Sequence, residues 1–545
     1  MTWQGWNYGD LFDAVATVVD PKHPALIHGE HTVTWGELDR RTNNLARALI
    51  DGGAHSPGVR AGEKTAFYLR NHPAYMEGLI ATFKARQVHV NVNYRYVADE
   101  VHYIFENSDA TTVIFAREFA PIVEQIRPRL PMVRRWLIVE DGAAEATPDF
   151  AEPFEALAAD GDGRPLGIAR SPDDLFFIYT GGTTGMPKGV MWRQDCLRRA
   201  LMNPALVTRM PVNLADHLEI VREAGQGSVN MPACPLMHGT GLLTAMSTMI
   251  SCGAVVTLQS PRLDAHELWA QVDRHKVSQI VIVGDAFGKP MLRALEEAPG
   301  RYDASSVLSI VSSGIMWSNE VKQGLLRHLP QAAMVDSFGS SEAVGFGLSI
   351  MTAEGEVETA KFQIGDNVKV FTPEGREVAP GGGEQGLIAR GDPLPEGYYK
   401  DQAKTDATFR TIDGVRYSIP GDFCTVETDG TITLLGRGSG CINTAGEKVF
   451  PEEVEEALKL HPDIEDALVV GVPDEKWGQS VTGVIELRDG ATFDELSIRE
   501  HVRKHLAGYK APKRLFAVAR MFRAPNGKSD YKSAREHALG EIERG

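Results

Sequence analysis

Apolar positions recur at helical spacing from Trp35 to Gly52, while Thr111 to Ile114 is a short β-branched run. The alternation of these two patterns over the first ~170 residues predicts an α/β architecture. It continues from Asp173 to Ser349, where Leu175 to Tyr179, Ser278 to Val283 and Val307 to Val311 read as buried strands. Each is followed by the Gly-rich or polar turn at which α/β sheets place ligands. From Gly365 to Leu435 short strands rich in Gly, Pro and Asp take over, including Asn367 to Phe371, Gly386 to Arg390 and Thr431 to Leu435, which predicts a smaller β-rich lobe. Past Gly436 the pattern is α+β, with a helix over Glu452 to Leu460, a strand over Ala467 to Gly471 and a helix over Phe493 to Leu506. The GRGSG segment, Gly436 to Gly440, is too short and flexible to pack a core. The expected division is therefore a large multi-lobed N-terminal domain over 1–436, a hinge over 437–440 and a small mobile α+β domain over 441–545.

One stretch, Gly239 to Leu258, carries no charge and is about as long as a minimal membrane span. Its Gly, Ser and Thr content and the Cys252-Gly253 break predict instead a buried helix followed by a strand over Ala254 to Leu258. The 545 residues exceed one compact core and imply about three or four structural units, without any internal repeat. The composition is 43% apolar and 24% charged, which is ordinary for a folded protein. A formal charge of −17 argues against a general nucleic-acid or membrane-surface binder, since both rely on clustered positive charge. Five widely spaced cysteines, with no C-x-x-C pair, suggest neither a disulfide framework nor a zinc site, and the start lacks a basic segment followed by an apolar one. A cytoplasmic protein is expected, with a homodimer left open.

After LFFIY comes the run Thr180, Gly181, Gly182, Thr183, Thr184, Gly185, Met186, Pro187, Lys188, Gly189. Glycines let the backbone approach a polyphosphate closely, the Thr hydroxyls add donors, and Lys188 supplies a charge. It is not a Walker loop, because Pro187 precedes the lysine and Gly189 follows it. Taken alone, such a turn is as often structural as functional.

The string YTGGTTGMPKG closely resembles the phosphate loop of the adenylate-forming superfamily, which includes acyl-CoA synthetases, peptide-synthetase adenylation domains and luciferases. The usual form has Ser where this chain has Gly181, so one hydroxyl donor is lost. Further motifs follow in the family's order. DSFGSSE, from Asp336 to Glu342, resembles the aromatic-Gly-x-Thr/Ser-Glu motif. The resemblance implies that Ser341 contacts the α-phosphate, that Glu342 with Thr184 holds Mg²⁺, and that Asp336 and Phe338 border the adenine. It likewise assigns Asp422 of RYSIPGD, and Arg437 after it, to the ribose. The hinge resembles the family's except for Ser439, where Asp or Lys is usual. Gly446, Glu447 and Lys448 would meet the pantetheine arm of coenzyme A, and Lys528 of RAPNGK would be the catalytic lysine.

PLMHGTG, with His238, matches the family's P-x-x-H-x-x-G segment beside the acyl site, while two further stretches, Gly284 to Phe287 and Ser312 to Ile315 with Gly314, are expected to line the pocket. The Ser312 to Ile315 stretch departs from the commoner Gly-Gly-Ala-Pro. With the insert from Arg209 to Asn230, that departure makes the chain more similar to ligases for steroid side-chain acids and other bulky acyl chains. The implied activity is an AMP-forming acyl-CoA synthetase of the fatty-acid or steroid-acid type. It would use ATP, Mg²⁺ and coenzyme A to convert an apolar carboxylic acid to acyl-AMP and then acyl-CoA. The rival readings are a freestanding adenylation enzyme loading a carrier protein, a luciferase-like oxygenase, and a catalytically silent nucleotide binder.

Overall fold

The computed structural model describes residues 5–544 apart from 54–55, 58–60, 181–185, 203–208, 316, 356–360, 438–439, 441, 445–446, 475–477, 507 and 525–528, with the side chains of 53, 56–57, 437, 443, 447–448 and 478 also outside the description. The chain is α/β and divides into two compact units, Met1–Thr359 with Arg390–Ser418, and Ala360–Ala389 with Ile419–Gly545.

The first unit is built on a sheet whose strands run in the order His31–Thr34, Pro24–His28, Ala254–Thr257, Val229–Pro232, Gln279–Ile282, Ser309–Ser313, Ala333–Ser340, Ala343–Met351. The six strands between its edges pair in parallel, and the two outermost pair antiparallel to their neighbours. All six parallel strands therefore end on one edge, which is where α/β sheets bind ligands. A second, parallel sheet joins Val88–Asn91, Lys64–Tyr68, Ala110–Ala116, Arg135–Val139 and Glu152–Pro153. A third, antiparallel one joins Leu175–Thr180, Lys188–Arg193 and Gly397–Tyr398.

Most expected elements form. The helix Trp35–Asp51 starts on Thr34, whose side chain accepts from the Glu37 N–H. The uncharged stretch is a helix, Gly239–Met249, followed by the buried strand Ala254–Thr257, with Cys252 at positive φ between them. No helix among the described residues is long and apolar enough to cross a membrane. The strand expected over Val307 to Val311 begins two residues later, at Ser309–Ser313. Leu308 is exposed, and the three serines that belong to the strand hide it from a reading based on apolar runs.

In the second unit, Lys361–Ile364, Ile432–Arg437, Asp422–Val426 and Gln385–Leu387 pair antiparallel. A separate sheet joins Glu447–Val449, Ile442–Thr444, Gly478–Leu487, Ile464–Asp474 and Arg514–Val518. The helices Pro451–Lys459 and Glu495–His505 bury Val454, Leu458, Ile498 and Val502 in its core. The second helix starts later than Phe493 because Asp494 caps it, accepting from the Ser497 N–H at 3.1 Å.

In the first unit Trp269 is fully buried and donates its Nε1–H to the Met291 carbonyl at 2.9 Å. Trp269→Ala leaves a large cavity and removes this hydrogen bond, so equilibrium denaturation followed by tryptophan fluorescence is expected to show a loss of about 3–5 kcal/mol in the first unit.

Candidate active site

Thr180 and Lys188 face each other across the antiparallel pair Leu175–Thr180 and Lys188–Arg193, which brings the two ends of the phosphate-loop string together. Gly181, Gly182, Thr183, Thr184 and Gly185 lie outside the described residues. The root of the loop is fixed by a residue that sequence reading missed. Asn91, buried at the end of a parallel strand, accepts from the Tyr179 N–H at 2.7 Å and donates to the Tyr179 carbonyl at 2.9 Å and the Met237 carbonyl at 2.8 Å. One side-chain amide thus ties the loop's entry strand to the segment that carries His238. Asn71 does similar work: it donates to the Pro232 and Cys234 carbonyls at 2.9 and 3.0 Å and accepts from the Leu236 N–H at 2.7 Å. His238 then stands, half-buried, at the N-terminus of the Gly239–Met249 helix.

Ser341 and Glu342 form the turn between Ala333–Ser340 and Ala343–Met351. The turn is held from the neighbouring antiparallel sheet, where Trp192 Nε1–H donates to the Ser341 carbonyl at 2.9 Å and Tyr398 Oη–H donates to Glu342 Oε1 at 2.6 Å. Tyr398 sits opposite Val190 in register, two residues beyond Lys188. Three residues after it, Asp401 forms an ion pair with Lys188 and caps the helix Gln402–Thr408 through the Lys404 N–H. The Lys188 ammonium is the main reason that the Asp401 carboxyl lies below the usual carboxylate range. The segment Gly397 to Asp401 therefore touches both the loop lysine and the acidic residue of the second motif. Only its position in the fold reveals this, since a Gly-Tyr-Tyr before a helix cap carries no chemical signal of its own.

Asp336 and Phe338 lie on the Ala333–Ser340 strand. Phe338 packs on Phe346, with ring centroids 5.1 Å apart. Asp336 faces Ser312 in the parallel register and pairs with the buried Lys322 at 2.5 Å. The Ser312 hydroxyl accepts from the Gly284 N–H at 2.9 Å, linking two expected pocket stretches at adjacent strand ends. Gly284 has φ +60°. Gly314 has φ +90°, and a Cβ built there would meet nothing within 4 Å, so its surroundings are open space. The first unit thus brings together, at neighbouring strand ends and turns, Lys188, Glu342, Ser341, Asp336, Phe338, Gly284 and Gly314.

The remaining expected residues belong to the second unit. Asp422 opens its strand, buried and directly opposite Arg437 in register. The side chains of Arg437, Glu447 and Lys448 lie outside the described residues, as do Ser439, Gly446 and Lys528. Thr444 pairs with Glu447 in the antiparallel register. Arg523 pairs with Ser529 in an isolated bridge, donates Nη1–H to the Ser529 hydroxyl at 2.8 Å, and grips Asp466 through Nη2 at 2.6 Å and Nε at 3.0 Å. Behind it, the buried Glu455 accepts from the Val469 N–H at 2.9 Å and the Tyr531 hydroxyl at 3.2 Å. Burial, followed by the neighbouring Glu452 carboxylate, pushes the Glu455 carboxyl up to about 8.

With this geometry in place, comparison with known proteins is decisive. Residues 13–399 match the AMP-binding enzyme family and residues 453–528 the AMP-binding enzyme C-terminal domain. The chain is an AMP-forming acyl-CoA synthetase of the AMP-binding enzyme family. It is 41% identical over 546 residues to the 3-oxocholest-4-en-26-oate–CoA ligase of Rhodococcus rhodochrous, covering 97% of this chain and 95% of that one. It is 39% identical to the medium/long-chain-fatty-acid–CoA/3-oxocholest-4-en-26-oate–CoA ligase of Mycolicibacterium smegmatis, covering 97% and 96%. The fold is also that of ATP-bound MatB from Rhodopseudomonas palustris, with a TM-score of 0.80 at 22% identity, covering 98% of this chain and 99% of MatB. As a member of this family the chain is an acid–thiol ligase that uses ATP, Mg²⁺ and coenzyme A: it forms acyl-AMP and then acyl-CoA, releasing pyrophosphate and AMP. The carrier-protein alternative is not favoured by relatives that are themselves CoA ligases.

Among the described residues no cluster of three or more His, Cys, Asp or Glu could hold a metal. Mg²⁺ is bound in such enzymes chiefly by phosphates and water with one or two carboxylates; Tyr398 engages one oxygen of Glu342, Oε1.

The Glu455 shift has a stability consequence. Its pKa is raised on folding, so its contribution is fully present below the unfolded value near 4.5 and is lost as pH rises through about 8. Glu455→Gln is expected to remove this loss. Melting of the variant and the wild type, compared at pH 5 and pH 8, should show the variant gaining more at pH 8.

Proposed function

We propose that this synthetase activates a bulky apolar carboxylic acid, of the steroid side-chain or medium- to long-chain fatty class, and transfers it to coenzyme A. The observation that carries the reading is the convergence of Lys188 and Glu342 on the single segment Gly397 to Asp401, with Asp336, Ser312 and Gly284 on the adjoining strand ends. The chemical class of the acid is supported by the relatives' printed names.

In this reading Thr180 to Gly185 and Lys188 hold the β- and γ-phosphates, Ser341 contacts the α-phosphate, and Glu342 with Thr184 holds Mg²⁺. The metal offsets phosphate charge and improves pyrophosphate as a leaving group. Asp336 and Phe338 border the adenine, and Asp422 with Arg437 takes the ribose hydroxyls. Lys528 bridges the attacking carboxylate and the α-phosphate, so that two anions meet with positive charge between them. His238, Gly284 and Gly314 line the acyl pocket. A hinge at 437–440 between domains 1–436 and 441–545 then moves Lys528 away and brings Gly446, Glu447 and Lys448 to the pantetheine arm. Gly436, at φ +120°, suits such a pivot because L side chains rarely adopt that backbone conformation. The cytoplasm is the proposed compartment, in keeping with four described cysteines that are free and buried, and a homodimer is the proposed assembly, to be read from light scattering.

A screen of CoA-dependent AMP release across short, long, aromatic and steroid acids tests the substrate class; preference for a short or amino acid overturns it. Lys528→Ala is expected to lower acyl-AMP formation by about 10²–10³-fold while thioester formation from supplied acyl-AMP stays within about threefold, and equal loss of both would refute the lysine's assignment. Tyr398→Phe keeps the ring and removes the hydrogen bond to Glu342. It is expected to raise the Mg²⁺ concentration for half-maximal rate by about 10-fold, with little change at saturating Mg²⁺.

A further inference from the structure

The Lys322 ammonium is buried at a place where the reaction as described assigns it no task. Lys322 lies on the helix Asn319–His328, its side chain 4% exposed, with Nζ 2.5 Å from Asp336 Oδ2 and 6.0 Å from the centre of the Trp317 ring. The Asp336 side chain is 12% exposed. Its register partners are Ser312 on one side and Ser349 on the other, and neither can carry charge. An ionised carboxylate in such surroundings needs a cation, because its desolvation is offset only by a close, well-aligned partner. Removing one member of a buried pair is costly, whereas replacing both by neutral groups is often tolerated.

We infer that Lys322 is a positioning residue that keeps Asp336 ionised and oriented, and that the pair selects 6-amino over 6-oxo purine nucleotides. This rests on the proposed placement of Asp336 beside the adenine. A carboxylate has only acceptors to offer, so it takes a hydrogen bond from an amino group at position 6 and repels a carbonyl oxygen there. A neutral amide offers both a donor and an acceptor, and by turning over it can serve either base. Lys322 therefore supplies the charge that makes the recognition one-sided, without itself meeting the nucleotide.

The test is ATP–pyrophosphate exchange, repeated with inosine triphosphate, using the acid that gives most exchange in the wild-type full-length enzyme. The variants are Lys322→Met, Asp336→Asn and the double variant, each checked by its melting temperature. Lys322→Met is expected to raise the KM for ATP about 10-fold, to leave kcat at saturating ATP within about threefold, and to lower the ATP-over-ITP preference about 10-fold. The double variant, which leaves no unpaired buried charge, is expected to regain a KM for ATP within about threefold of wild type while keeping the lowered preference. Should Lys322→Met fail to fold, Lys322→Gln, which keeps a hydrogen-bond donor but no charge, takes its place with the same expected outcomes. A double variant with the wild-type preference, or a Lys322→Met enzyme that loses only kcat equally with both nucleotides, overturns the inference. If Asp336→Asn lowers the preference and Lys322→Met does not, the role of Lys322 falls while the adenine placement of Asp336 stands. If none of the three variants alters it, that placement falls as well.

Discussion

The backbone from Pro232 to His238 belongs to no strand beyond its first residue and to no helix before its last, yet it lies largely buried, and its polar groups must be hydrogen-bonded. The side-chain amides of Asn71 and Asn91 meet that demand. Because Asn91 also bonds both backbone groups of Tyr179, the segment bearing His238 and the strand leading into the phosphate loop are held by one side chain. Both asparagines lie at or just beyond the ends of strands of the second parallel sheet, so the first unit's two parallel sheets meet through the backbone of the loop between them. The nucleotide motifs depend on this junction, because a loop that closes on a polyphosphate needs a rigid root.

The same unit carries charge in its interior, and several of these charges are paired. The helix Pro73–Lys84 is buried along its whole length, so its Glu77 and Lys84 cannot reach water. Glu77 meets Arg41 at 2.6 Å, and Lys84 meets Asp39 at 2.7 Å. Lys322 with Asp336 is a third such pair. The first two stitch a helix to its neighbours, and the third joins a helix to the strand on which we propose that adenine is recognised. In the second unit the buried Glu455 takes its hydrogen bonds from the Val469 N–H and the Tyr531 hydroxyl and is pushed towards its neutral form instead.

Much of this was legible along the chain. Helical spacing from Trp35, the uncharged Gly239 to Leu258 stretch with its internal break, and the ordered motifs from Thr180 to Lys528 all reflect local constraints: periodicity, glycine at a tight turn, and residue types set by phosphate chemistry. The strand at Ser309–Ser313 was displaced by two residues because its serines serve the site and the neighbouring strands rather than the apolar core. Asn71, Asn91, Tyr398, Asp401 and Lys322 could not be singled out, because each is an ordinary residue until a partner far along the chain is brought to it.

The sequence by itself determined the family, the reaction and the residue types that reaction needs, since these are written in short contiguous motifs whose chemistry depends on spacing alone. Tertiary structure alone decided which side chains support those motifs. Tyr398 reaches Glu342, 56 residues away, and Asp401 reaches Lys188, 213 residues away. Hydrogen bonds and ion pairs act over a few ångströms in space, and a linear pattern holds no record of which distant residues folding will bring within that reach.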